Sequence, residues 1–230
     1  MANEYDAKPT EYGELTDEYR EPIWIDPPPI LPDPVLIVID KSEFSMTTYS
    51  AGELVSKHKV IIGRPDYPTP TMRTEFSHII INPVWGVPEV LLYKLVAIIK
   101  AQRDPIGYLN RRGFKIQVAG NEVDPSTINW RALPETGPYS FSVTQIPGPS
   151  NFVGQVLFVL EDTNEIQMHD TPDKDLFLQD VRTFSSGCIR VEKSVELAEF
   201  ILRQPIGDLI DQGETVVFQL PRPVQVQVVD

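Results

Sequence analysis

The residues of this chain that could do chemistry gather in two short stretches. Thr183-Phe184-Ser185-Ser186-Gly187-Cys188-Ile189-Arg190-Val191 holds the only cysteine among 230 residues. Upstream, Met168-His169-Asp170-Thr171-Pro172 holds one of three histidines. A thiol needs a base or a positive environment to become a nucleophile near neutral pH, and imidazole is the usual provider. His169 and Cys188 are therefore read as a base and nucleophile for acyl transfer. The competing reading of a lone cysteine is a small buried hydrophobe. The residues before it favour the nucleophile. Ser185-Ser186-Gly187 packs poorly and turns well, and Gly187 can adopt positive φ and let backbone amides approach a ligand. The amides of Gly187 and Cys188 are then candidate donors to the oxyanion of a tetrahedral intermediate.

His169-Asp170-Thr171 followed by Ser185-Ser186-Gly187-Cys188-Ile189-Arg190 resembles the signature of the YkuD-type L,D-transpeptidases, which remodel bacterial peptidoglycan, and within them the YcbB-like branch. The resemblance extends to Ile80-Ile81-Asn82-Pro83-Val84-Trp85-Gly86-Val87-Pro88, to Val123 through Trp130 and to Pro147-Gly148-Pro149-Ser150-Asn151, covering about residues 35–220. It implies a mainly β fold with helices (α+β), a YkuD-like β-sandwich carrying an inserted helical and loop cap at about 87–137. It implies a two-step reaction through a thioester, with peptidoglycan tetrapeptide stems as donor and acceptor and β-lactams of the carbapenem class as further partners. It implies no cofactor, and work in the periplasm or cell envelope. It also implies that a backbone carbonyl beside the histidine, here that of Asp170, orients the ring. The Asp170 carboxylate is the rival orienter on chemical grounds. One departure stands out: relatives commonly carry Arg just before the position of Gln145, where this chain has Thr144.

Around the pair, Ser186 and Arg190 are candidate substrate contacts. Arg190 can lower the thiol pKa, hold a substrate carboxylate or brace the loop by a salt bridge; Arg182 offers the same options. Tyr67 and Trp85 are candidate groove-lining residues, with core packing the alternative for Trp85. Three function classes follow: a transpeptidase, a carboxypeptidase or crosslink hydrolase of the same fold in which water replaces the acceptor amine, and an inactive wall-binding module.

The elements that must position these residues are legible in outline. A net charge of −13 argues against nucleic acid and anionic membrane surfaces as partners. One cysteine excludes an internal disulfide, and the three histidines lack metal-ligand spacing, so no metal is expected. No apolar run has the length of a membrane span. The first residues lack a basic and hydrophobic signal, so the chain is expected to be a mature or trimmed form with a replaced start. Residues 1–34 are acidic and proline-rich and read as a tether or strap, with Trp24 and Ile25 docking it. Val35–Ile39, Phe44–Tyr49 and Val55–Ile62, separated by turn signals, predict an antiparallel meander. Ser77–Asn82 predicts a strand buried on both faces. Pro88–Arg103 switches to helical period with Val90, Leu91, Leu95, Ile98 and Ile99 as its stripe. Phe114–Val118, Tyr139–Thr144 and Gln155–Leu160 read as strands, and a short helix runs from Asp124 to near Trp130. Ile166-Gln167-Met168 delivers His169 at a strand end that Pro172 stops. Ser194 is a candidate N-cap for a helix over Val195–Gln204, with Leu197, Ala198, Ile201 and Leu202 buried and Glu196 and Glu199 in water. Thr215–Leu220 is a final strand broken by Pro221-Arg222-Pro223, and 221–230 is expected as a tail or edge strand.

Overall fold

Strand-forming runs separated by turns dominate the chain, and the computed structural model, which describes residues 21–25, 33–163 and 166–230, is accordingly built mainly of β-structure. In chain order the strands are β1 (Ile23–Ile25), β2 (Val35–Asp40), β3 (Ser45–Ser50), β4 (Glu53–Gly63), β5 (Met72–Ile81), β6 (Trp85–Gly86), β7 (Phe114–Val118), β8 (Asn121–Val123), β9 (Ser142–Gln145), β10 (Val156–Leu160), β11 (Met168–His169), β12 (Thr183–Ser185), β13 (Ile189–Val191) and β14 (Val216–Val229). The α-helices are α1 (Glu89–Ala101), α2 (Pro105–Arg111), α3 (Ser194–Leu202) and α4 (Gly207–Gln212). Residues 1–20 and 26–32, most of the expected tether, lie outside the described residues. The chain divides into two units, one containing Val84–Ile146 and the other Pro22–Pro83 with Pro147–Asp230.

The larger unit carries the core. β2, β3 and β4 form the antiparallel meander. The hydrogen-bonded order then runs β1-β14-β2-β3-β4-β13-β11-β10-β5, and β5 pairs back onto β14. The sheet thus closes on itself around Ile37, Ile39, Val60, Phe76, Phe158, Met168, Ile189, Val191 and Phe218, with Leu197, Ala198, Ile201 and Leu202 of α3 packed into the same cluster. Burial of β5 on both faces follows from this. Ile79 and Ile81 face that core, while Ile80 packs with Leu157 and Val217 on the opposite face. Trp24 and Ile25 do dock: β1 runs parallel to Val216–Phe218 of β14.

Four expectations are corrected. The tail after Pro221 is neither free nor an edge. β14 continues through the prolines, pairs antiparallel with β5 and then runs parallel to β2 from Gln225 to Val229. Pro221 and Pro223 fall where the β14–β5 register shifts between Gln219 and Val224, so their missing N–H groups interrupt no regular ladder. Ser194 does not cap α3. It is the helix's first residue, its hydroxyl is buried without a hydrogen-bond partner, and Lys193 precedes the helix without a side-chain cap. Glu199 is half-buried rather than solvated, because its carboxylate accepts the Ile206 amide at 3.0 Å. The stripe of α1 is Leu92, Leu95, Val96 and Ile99, while Val90 and Ile98 are exposed.

The smaller unit has its own four-stranded sheet in the order β6-β9-β7-β8. It contains α1, and also α2, which periodicity did not reveal because it is only seven residues long. Asp104 caps α2 by accepting the Gly107 amide at 2.9 Å, with Pro105 following at the first helical position. The Asp124–Trp130 helix is two 3₁₀ turns, Pro125–Thr127 and Trp130–Ala132. This unit reaches to Ile146 and so takes in β9.

Arg182 is a structural brace. Its guanidinium donates to the carbonyls of Val60 (3.2 Å), Gln179 (2.6 Å) and Phe44 (3.0 Å) and stacks on the Phe44 ring. Arg182→Ala leaves these acceptors without their donor and is expected to cost about 2–4 kcal/mol of stability. Arg182→Lys recovers only part, since an ammonium cannot span three diverging carbonyls. Urea unfolding of the two variants checks this.

Candidate active site

The two stretches that carry the chemistry meet through strand pairing. β11 runs parallel to β13 with Met168 opposite Ile189 and His169 opposite Arg190. The Ile189 amide donates to the Gln167 carbonyl at 2.8 Å, which fixes the residue after Cys188 against the strand that ends in His169. Alternation sorts the side chains. Met168, Ile189 and Val191 enter the core. His169 and Arg190 project from the other face, and Cys188 lies immediately before β13 and is partly exposed.

The cysteine loop is held residue by residue from the segment that follows β4. The Arg64 amide donates to the Ser185 carbonyl at 3.1 Å. The Arg64 guanidinium donates to Ser186 Oγ at 3.2 Å. The buried Thr69 hydroxyl donates to the Gly187 carbonyl at 2.7 Å and accepts the Gly63 amide at 2.8 Å. Gly63 has no room for a side chain: an added Cβ would meet the backbone at Tyr67–Thr69. Gly187 has φ +113°, a conformation L-residues rarely adopt, and an added Cβ would press on Ile166 Cδ1 at 2.8 Å. Inside the loop, Ser185 Oγ donates to the Cys188 carbonyl at 2.6 Å and accepts the Gly187 amide at 3.1 Å. That last bond corrects one expectation. The Gly187 N–H is engaged by Ser185, not presented to a developing oxyanion.

His169 is buried, and its Nδ1 pairs with the backbone carbonyl of Asp170. A carbonyl only accepts, so Nδ1 carries the proton and Nε2 holds the lone pair of the neutral ring. Burial pushes the imidazole pKa down to about 4, the Arg190 charge adds to this, and the carbonyls of Asp170 and Val153 oppose it. The Asp170 carboxylate is turned elsewhere. It accepts the Gln155 amide at 2.9 Å and forms an ion pair with Lys174. Gly154, at φ +69°, makes room for it, because a Cβ there would collide with that carboxylate.

Arg190 pairs with Asp173 at 3.2 Å and reaches the Thr171 hydroxyl at 3.4 Å, bracing the segment that follows the histidine. Tyr67 is exposed, and the Arg64 guanidinium lies 5.1 Å from its ring centre. Trp85 is half-buried on the two-residue strand β6 of the smaller unit, so it is not one of the core residues. Thr144 lies beside it in sheet register, opposite Gly86. Sequence reasoning missed Arg64, Thr69, Ser185 as a loop brace, and Lys174. Gly63, Thr69 and Pro70 stand in one short stretch, but nothing local links it to a loop more than a hundred residues away.

Comparison with known proteins follows this geometry. The family model described as YkuD, L,D-transpeptidase catalytic domain, matches residues 34–225. A Haemophilus influenzae protein named "Putative L,D-transpeptidase" is 33% identical over 169 residues, covering 73% of this chain and 34% of that protein. The chain therefore spans about a third of the length of that curated relative. Among solved structures, an L,D-transpeptidase from Mycobacterium smegmatis is 13% identical with a TM-score of 0.44, over 86% of this chain and 59% of that one. L,D-transpeptidase 3 from Mycobacterium tuberculosis, in complex with a faropenem-derived adduct, is 12% identical with a TM-score of 0.43, over 86% and 61%.

The buried imidazole has a stability signature. In the fold it stays neutral down to about pH 4, whereas its ordinary value is 6.5. Between these values the unfolded chain binds more protons. The stability contribution is therefore complete above pH 6.5 and falls as pH drops toward 4, by up to about 3 kcal/mol. Urea midpoints at pH 7 and pH 4.5 are expected to fall further for the wild type than for His169→Gln. Equal losses would remove the imidazole as the source.

Proposed function

Because this chain belongs to the YkuD family of L,D-transpeptidase catalytic domains, we propose that it cross-links peptidoglycan stems through a thioester on Cys188, as a YcbB-like member working in the cell envelope. The observation that carries this reading is the neutral, carbonyl-oriented imidazole of His169 on the strand paired beside the cysteine loop. With Nδ1–H committed to Asp170, Nε2 is the ring nitrogen that takes the thiol proton.

The thiolate of Cys188 attacks the carbonyl carbon joining the L-centre of a diamino acid to a terminal D-Ala. The sulfur–carbon bond forms and the carbonyl π-pair moves to oxygen, where the Cys188 amide is the donor we assign. The intermediate collapses, the carbon–nitrogen bond breaks, and the imidazolium returns its proton to the departing D-Ala amine. An amine of a second stem then attacks the thioester, His169 takes its proton, and the thiol is regenerated as the new amide forms. Burial suits the imidazole to this cycle, because a base that rests neutral is ready to accept the thiol proton. The Arg190 charge, anchored by Asp173, adds positive potential at the same face and favours the thiolate.

Purified tetrapeptide muropeptides test this directly. Dimers released together with D-Ala are the expected product; trimmed tripeptide monomers alone would assign the chain to the hydrolytic branch instead. Cys188→Ala is expected to abolish turnover while leaving the fold intact by circular dichroism, and full activity in that variant ends the proposal. His169→Ala is expected to slow acylation by about a hundredfold or more, read as the rate at which a carbapenem adds its mass to the protein. Unchanged kinetics would remove His169 from the mechanism.

A further inference from the structure

The site as described contains no assigned group for the negative charge its substrate carries. A donor stem ending in D-Ala presents a carboxylate separated from the scissile carbonyl carbon by two atoms, the amide nitrogen and the D-Ala Cα. Any cation that recognises it must stand within one side chain's reach of the sulfur. Arg190 was the sequence candidate, but its guanidinium is already paired with Asp173 at 3.2 Å.

Arg64 meets the requirement. Its guanidinium donates to Ser186 Oγ, two residues from the nucleophile, and its backbone amide holds Ser185. The Tyr67 ring stacks on it and holds the plane of the fork. Gly63 and Thr69 close the segment tightly enough to fix where the side chain starts. Yet among the described residues no carboxylate lies within ion-pair distance of Arg64, in a chain whose net charge is −13. Acidic side chains outnumber basic ones here 33 to 20, so an ordinary surface arginine would have partners to choose from. A half-buried guanidinium that is oriented by a hydroxyl and a ring, and has no anion of its own among the described residues, is arranged as a fork for an incoming carboxylate.

We propose that Arg64 is the specificity residue for the donor, binding the terminal carboxylate of the D-Ala leaving group beside Cys188. This rests on the transpeptidase reading, and its test separates the two. Acylation of Cys188 is followed by mass spectrometry with a tetrapeptide donor bearing a free C-terminal carboxylate and with the same peptide as its C-terminal carboxamide. The wild type is expected to favour the free acid by about tenfold or more, the scale of one charge-assisted hydrogen bond. Arg64→Gln, which keeps a donor for Ser186 but not the charge, brings the ratio to about one. Arg64→Lys keeps part of the preference. No preference in the wild type overturns the assignment, and so does an undiminished ratio in Arg64→Gln, including one where both rates fall together as loss of a mere loop brace would produce. If the wild type forms no adduct with either donor, the transpeptidase reading fails by itself. Arg64 is then judged by calorimetric binding of the two peptides to Cys188→Ala with and without Arg64→Gln. A free-acid preference lost with the arginine sustains the recognition role, and equal binding of the two peptides overturns it.

Discussion

Everything at the site depends on one short ladder, the parallel pairing of Met168–His169 with Ile189–Val191. Two residues on one strand and three on the other are too few to hold together by hydrogen bonds alone. Their register is set because Met168, Ile189 and Val191 are fully buried in the main core, and a one-residue slip would turn them outward and bring His169 and Arg190 in. The hydrophobic core thus chooses the face from which the imidazole and the Arg190 side chain project. Neighbouring strands complete the constraint: β11 is pinned by β10 on its far side, and β13 by β4.

On that frame, Asp170 acts at both of its ends. Its carbonyl holds the proton of His169 Nδ1, while its carboxylate anchors the same residue to the Gln155 amide and Lys174. The acidic side chain thus does not hydrogen-bond the ring, and its charge opposes the lowering of the imidazole pKa without orienting it, which differs from the carboxylate-oriented triads of serine hydrolases. The two charges nearest this cluster, Lys174 and Arg190, are each drawn to an aspartate on the same stretch of chain, Asp170 and Asp173. Burial of the imidazole then does what a carboxylate partner would undo: it keeps the ring neutral, with its lone pair on Nε2.

The residues able to do chemistry were legible because their signals are local. A single cysteine after Ser-Ser-Gly and a histidine at the end of an apolar run need no knowledge of the fold to be noticed. The meander, the burial of Ile79 to Ile81 on both faces and the stripe of α3 were legible for the same reason: each is a periodicity within one element. The misreadings also share a cause. Pro221 and Pro223 look like strand terminators until β5 is seen to accommodate them at a register shift, with β2 pairing the strand beyond them. Ser194 looks like a cap until the turn at Lys193 moves the helix start by one residue. In α1 several apolar residues compete for one face, and the neighbouring elements decide which of them are covered.

The sequence by itself determined the candidates for nucleophile and base, the need for a glycine before the thiol and the β-rich character of the chain, since these follow from residue type and short-range spacing. Only the tertiary structure decided who touches whom. It brought Arg64 and Thr69 onto the cysteine loop from 122 and 118 positions away, turned the Asp170 carboxylate from the imidazole and tied the Gly187 amide to Ser185. The reason is physical. A hydrogen bond between distant segments forms only after the core has closed the chain between them, so no local pattern at either end can announce it.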